Sequence, residues 1–69
     1  MFEHRRKAIG KSQYYISENN GCYIVKEIYN GSLVGKSKYI HHNIDDAISE
    51  LNSISCERYY TDNSLGINF

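Results

Sequence analysis

Between residues 12 and 40 aromatic and β-branched side chains gather in short runs separated by Asn-Gly turn signals, as in strands. From residue 44 to 54 apolar side chains recur every three or four positions, as on one face of a helix. Ser12 to Ser17 (SQYYIS) and Cys22 to Tyr29 (CYIVKEIY) are rich in the aromatic and β-branched residues that fit a pleated surface. Glu18-Asn19-Asn20-Gly21 separates them with turn chemistry, because Asn and Gly accept positive φ. Asn30-Gly31 follows the second run, which favours a type I′ hairpin, and Ser32 to Ile40 is the returning strand.

A two-residue Asn30-Gly31 loop sets Tyr29 opposite Ser32 and Ile28 opposite Leu33. Continued without interruption, it puts Cys22, Ile24, Ile28, Leu33, Gly35 and Tyr39 on one face. Tyr23, Val25, Glu27, Tyr29, Val34, Lys36 and Lys38 take the other. The first face is the more apolar and is expected to be the core. The first strand allows two registers. A two-residue turn sends Tyr15 inward, and a three-residue turn with a bulge sends Tyr14 and Ile16 inward.

Asn43 suits a helix N-cap, and Asp45 and Asp46 place negative charge in the first turn. Ile44, Ala47, Ile48, Leu51 and Ile54 form one apolar stripe, so a helix is expected from about Ile44 to Ile54, packed on the sheet. The expectation is one α+β domain spanning 1–69: a three- or four-stranded antiparallel meander with one α-helix on one face. Residues 1–11, with Arg5, Arg6 and Lys7 adjacent, read as a loose arm, or in a functional version as a phosphate-contacting arm. After the helix, Arg58, Tyr59 and Tyr60 suit a short fourth strand or a cover over a sheet edge. Leu65, Ile67 and Phe69 alternate as in a terminal strand.

At 69 residues the chain buries only about 60% of the surface its unfolded form exposes, which leaves little room for a catalytic pocket beside a core. Its eight basic and eight acidic residues cancel, unlike the basic excess of a dedicated nucleic-acid binder. The two cysteines, Cys22 and Cys56, are too few for a disulfide scaffold and read as reduced thiols. No apolar run approaches the roughly 18 residues of a membrane span, and no secretory h-region follows the first basic residues. The expected location is the cytoplasm of a host cell.

His41 and His42 precede the helix beside Asp45 and Asp46, but neighbouring residues in an extended chain point apart, so a shared metal is not expected. Nothing in the sequence brings either cysteine to a histidine, and Cys22 is expected to face the core. No enzyme activity, cofactor or metal is expected. The candidate binding surface is the second sheet face, with Tyr23, Val25, Tyr29, Val34, Lys36 and Lys38. Tyrosine is favoured at interfaces because it buries much area and keeps a polar tip. Solvent exposure without a partner, and dimerisation through that face, are the other readings of it.

Tyr23-Ile24-Val25, Asn30-Gly31, Gly35 with Tyr39, and Asp45-Asp46-Ala47 resemble the strand–turn–strand–helix core of AP2-type domains and the arm-binding domains of phage integrases. That resemblance implies a sheet face inserted into the DNA major groove, with Tyr23, Val25, Lys36 and Lys38 against DNA. This chain is neutral where that family is basic, and its 39–47 loop is longer. The stretch Ile16 to Leu51, through Asn30-Gly31, Val34-Gly35 and the acidic helix start, also resembles a small anti-CRISPR protein of phages. This second likeness implies a non-catalytic inhibitor that binds a host protein or ribonucleoprotein complex, a CRISPR-Cas complex in its concrete form, and blocks it by steric occlusion. Tyrosines and lysines of a sheet face would make the contact, and nucleic acid is the alternative partner.

Overall fold

A computed structural model describes residues 2–37 and 39–60. Four strands, β1 (Phe2–Ile9), β2 (Ser12–Asn19), β3 (Cys22–Tyr29) and β4 (Ser32–Lys36), are followed by one helix, α1 (Ile44–Ser53). The strands pair antiparallel in the order β1-β2-β3-β4, so the sheet is an uninterrupted meander. The fold is α+β, with a four-stranded antiparallel sheet and one helix on one face.

Two of the three hairpins use the turns their residues demand. Asn20-Gly21 and Asn30-Gly31 have φ of 54°/78° and 54°/83°, the positive pair that a type I′ turn requires. Where a loose arm was expected over 1–11, the described residues Phe2–Ile9 form an edge strand. Its pairing begins at Ile9↔Ser12, across Gly10 at φ +57°, and breaks register between Glu3 and Arg6. The charged His4-Arg5-Arg6-Lys7 run masks the strand in the sequence, yet charge on an edge is how a sheet discourages stacking with another chain.

The helix starts as its sequence requires. The Asn43 side chain accepts the Asp45 amide at 2.7 Å, and Asp45 and Asp46 occupy the first turn. Its C-terminal turn carries no basic residue of its own. Lys7, reaching from β1, donates instead to the carbonyls of Leu51, Asn52 and Ile54 at 3.3, 3.3 and 2.6 Å. A cation there meets the negative end of the helix dipole, reinforces the Ile54 amide on the Leu51 carbonyl, and satisfies the carbonyls of Asn52 and Ile54.

The core lies on the face opposite to the expected one. Tyr14, Ile16 and Val25 of the sheet pack with Ala47, Leu51, Ile54 and Tyr60, and Ile9, Tyr23, Ile44 and Ile48 pack around them. Ile16 pairs with Val25 and Tyr14 with Glu27, so these four share the helix side, while Ile24, Ile28 and Leu33 point away. Two features produce the inversion. A bulge at Val34 interrupts the β3–β4 ladder, so Gly35 pairs with Glu27 rather than lying on the face of Ile28 and Leu33. Glu27 itself, which counted against this face, is fully buried and satisfied.

Its carboxylate accepts Ser12 Oγ at 2.7 Å and the Tyr60 amide at 2.9 Å. Beside it, Ser12 Oγ accepts the Arg58 amide at 3.1 Å, and the Tyr14 hydroxyl accepts the Tyr59 amide at 3.1 Å. The Tyr14 hydroxyl also donates to the Cys56 carbonyl at 2.7 Å. Three consecutive amides after the helix are therefore received by three side chains of the sheet. Residues 56–60 are a cover over β2–β4, one of the two roles their sequence allowed. Gly35 makes the close approach possible, since a Cβ built on it would overlap the Tyr60 carbonyl oxygen.

Replacing Glu27 with alanine strands the Tyr60 amide and the Ser12 hydroxyl in the core. The expected loss is about 3 kcal/mol, much of the stability of so small a domain. Urea unfolding checks it: the midpoint should fall steeply for Glu27→Ala and less for Glu27→Gln, which retains an acceptor. An unchanged Glu27→Ala midpoint would contradict the burial argument.

Candidate functional site

The residues expected to form one binding face are dispersed by the inversion. Val25 is fully buried under α1 and offers nothing to a partner. Tyr23 packs against the core, with its ring 5.6 Å from that of His4 and its hydroxyl donating to Glu18 at 3.4 Å. Tyr29 is half-buried beneath the Arg58 guanidinium, which lies 5.0 Å from its ring centroid. Val34 is the bulged residue and Lys36 ends β4; both are partly exposed. Lys38 lies outside the described residues. Of the expected set, Tyr29, Val34 and Lys36 lie on β4 or on the strand beside it, with Tyr29 on the helix side and Lys36 on the opposite face.

That border gains residues the sequence pattern did not single out. β4 stops at Lys36, four residues short of the expected strand end. Ser37 still pairs with Val25, donating its amide to the Val25 carbonyl at 2.7 Å, and Ser37 Oγ accepts the Val25 amide at 3.1 Å. The chain then swings outward and returns at His41, which exchanges two backbone bonds with Tyr23 at 2.7 and 2.9 Å. Tyr39 and Ile40 ride on this excursion. Among the described residues, the large apolar side chains most open to solvent are Leu33, Tyr39, Ile40 and Tyr59, with exposures of 45–70%. All four lie in β4, in its continuation, or in the 56–60 segment that crosses Gly35. The sequence signal for them was the Val34-Gly35 pair: a β-branched residue before a strand glycine is where a bulge can turn the edge.

The histidines separate as their adjacency implies. His41 Nε2 bonds Glu50, which also receives the Tyr60 hydroxyl, so Glu50 ties the loop to the cover segment. His42 Nδ1 lies 3.7 Å from Cys22 Sγ. Cys22 is thus half-exposed beside an imidazole rather than facing the core, and Cys56 is an exposed free thiol. Among the described residues no three His, Cys, Asp or Glu side chains converge as metal ligands, and no pocket forms around the Cys22–His42 pair.

On the face away from α1, the pairs Arg6↔Tyr15, Tyr15↔Lys26 and Lys26↔Lys36 join into one row across all four strands. The Arg6 guanidinium sits 5.3 Å from the Tyr15 ring centroid. Burial, and then the charge of Lys36, lower the Lys26 pKa. The carboxylates of Glu18, Glu27, Asp45, Asp46, Glu50 and Glu57 belong to the helix side, together with the Lys7 ammonium, while the register sets Glu3 opposite Ser17 on the other face.

Comparison with family models, with curated proteins and with solved structures found no match for this chain. No described helix is long and apolar enough to cross a membrane.

Burial, reinforced by the hydrogen bond to Glu50, raises the Tyr60 pKa, and burial also raises that of Tyr14. The folded state therefore holds these phenolic protons after the unfolded chain, with tyrosine pKa near ~10, has released its own. Stability from both groups is complete below about pH 10 and is lost as pH rises above it. Thermal unfolding across this range should show that fall, and Tyr60→Phe should flatten it. A pH-independent unfolding temperature up to pH 11 would contradict the assignment.

Proposed function

We propose that this chain is a non-catalytic binding protein that docks on a protein partner through the β4 side of its sheet. The observation that supports the reading is the gathering of Leu33, Tyr39, Ile40 and Tyr59 along that border, with Lys36 and Arg58 beside them. Exposed tyrosine and aliphatic side chains next to cations have the composition of an interface centre with a polar rim. Docking there is by side chains rather than by strand addition, because the bulge at Val34 and the excursion at Tyr39 break the row of backbone groups an added strand would need.

In the form that the resemblance to anti-CRISPR proteins of phages implies, the partner is a host defence complex, and the 69-residue body blocks it by occlusion in the host cytoplasm. The alternative, a sheet face set against DNA, draws support from the Arg6–Tyr15–Lys26–Lys36 row. It ranks second because Lys26, at the centre of that row, is buried.

Capture of partners from host lysate, with and without nuclease, tests the reading. The expected result is a stoichiometric protein complex that survives nuclease. Leu33→Asp combined with Tyr59→Ala should weaken that complex more than about 30-fold, the effect of losing one anchor worth roughly 2 kcal/mol, while the unfolding midpoint stays within a few tenths of a kcal/mol. Capture of nucleic acid alone, falling steeply as salt rises, would replace this reading with the DNA-binding one.

A further inference from the structure

The fold brings together a nucleophile and a base that lie twenty residues apart in the sequence. After its outward excursion the chain returns at His41, whose two backbone bonds to Tyr23 form an antiparallel bridge. In such a bridge the residue before one partner lies opposite the residue after the other, and opposite side chains share a face. Cys22 and His42 are that pair. Cys22 Sγ lies 3.7 Å from His42 Nδ1, with Cys22 half-exposed and His42 exposed. The other two of the three histidines are held by carboxylates: His4 bonds Glu18 and His41 bonds Glu50. Cys56, the more exposed thiol, therefore has no imidazole beside it.

We propose that Cys22 is an exchange site for small soluble disulfides, with His42 as its base. A thiol attacks as its thiolate, and an unassisted cysteine is only a few per cent thiolate at neutral pH. With its own proton on Nε2, the His42 imidazole presents the Nδ1 lone pair to the Sγ proton. It accepts that proton as Cys22 attacks one sulfur of the disulfide. The new bond joins Cys22 to one half of the reagent, the original sulfur–sulfur bond breaks, and the departing thiolate takes up the proton from His42. One mixed disulfide and one free thiol result. The incoming disulfide is the oxidant, and no further co-reactant is needed.

The adduct has no internal route to resolution. Cys56 is the other thiol of the chain. Its carbonyl meets Tyr14, and its neighbour Glu57 bonds the Lys11 amide at the far end of β2. Cys22 pairs with Asn19, five residues along β2 from Tyr14, a strand distance of about 16 Å. A disulfide needs Cα atoms within about 7 Å. The mixed disulfide on Cys22 thus persists until an external thiol removes it. The inference does not depend on the proposed partner.

Incubation of the full chain with oxidised glutathione at neutral pH, each adduct being located by peptide mass mapping, tests the proposal. Cys22 should be modified at least about 10-fold faster than Cys56, because base assistance lifts the low thiolate fraction that limits an ordinary thiol. Exposure alone predicts the reverse order. The product should carry one glutathionyl group on Cys22 and lose it to dithiothreitol. In urea the two cysteines should react at similar rates. His42→Gln keeps an exposed polar side chain and removes the base. Its circular dichroism should be unchanged, and its Cys22 rate should fall to that of Cys56. Equal or faster reaction at Cys56 in the folded chain would overturn the proposal. So would an unchanged Cys22 rate in folded His42→Gln, or a Cys22 preference that survives in urea and so belongs to the local sequence. A disulfide between Cys22 and Cys56 of one chain would overturn the persistence of the adduct.

Discussion

Three consecutive backbone amides hold this fold together. Those of Arg58, Tyr59 and Tyr60 have no secondary-structure partner, and a buried amide left unpaired costs about as much as a lost hydrogen bond. Ser12, Tyr14 and Glu27, on two neighbouring strands, receive them in turn. A single helix of ten residues covers only part of one sheet face. The clamped segment brings Tyr60 into the remaining gap, edge-on to Tyr14 at 6.1 Å, and so completes the core that the helix begins. Glu27 is the member that cannot be traded. Ser12 and Tyr14 are neutral, whereas a fully buried carboxylate is tolerable only while its donors are in place.

The same clamp explains where the surface chemistry falls. To reach Glu27, Tyr60 must lie directly on Gly35, and the bulge at Val34 is what turns Gly35 to that side. The bulge leaves Leu33 on the opposite face, and the clamp projects Tyr59 outward next to Arg58, which stacks on Tyr29. Arg58 holds φ +57°, a conformation that costs a side-chain-bearing residue of order 1 kcal/mol and persists because its neighbours are fixed on both sides. The β4 border is thus a consequence of how the core is closed. Beyond that border, Cys22 Sγ lies 3.7 Å from His42 Nδ1.

Much of the architecture is legible in the sequence because local rules act without interference. Asn43 with Asp45 and Asp46 starts the helix, the Ile44–Ile54 stripe faces the sheet, and the Asn-Gly turns set the hairpins. The errors arise where distant residues decide. Glu27 reads as a solvent-facing charge until Tyr60, thirty-three positions on, supplies its donor. Val34 reads as an ordinary strand position, and one extra residue there moves Gly35 and Ser37 to the other side. Phe2–Ile9 reads as an arm because five charged or titratable residues interrupt its apolar pattern, and Lys7 finds its reason only at the far end of α1. The candidate site suffers most: face assignment inverts with a single slip, so Tyr23 and Val25 were lost to the core while Leu33 and Tyr59 were gained.

Amide hydrogen exchange at Arg58, Tyr59 and Tyr60, followed residue by residue in the native protein, tests the clamp most directly. The account predicts that Tyr60 exchanges as slowly as Val25 in the central strand, through global unfolding alone, with Arg58 and Tyr59 close behind. Exchange of these three amides at the rates of a free peptide, while Val25 stays protected, would contradict it.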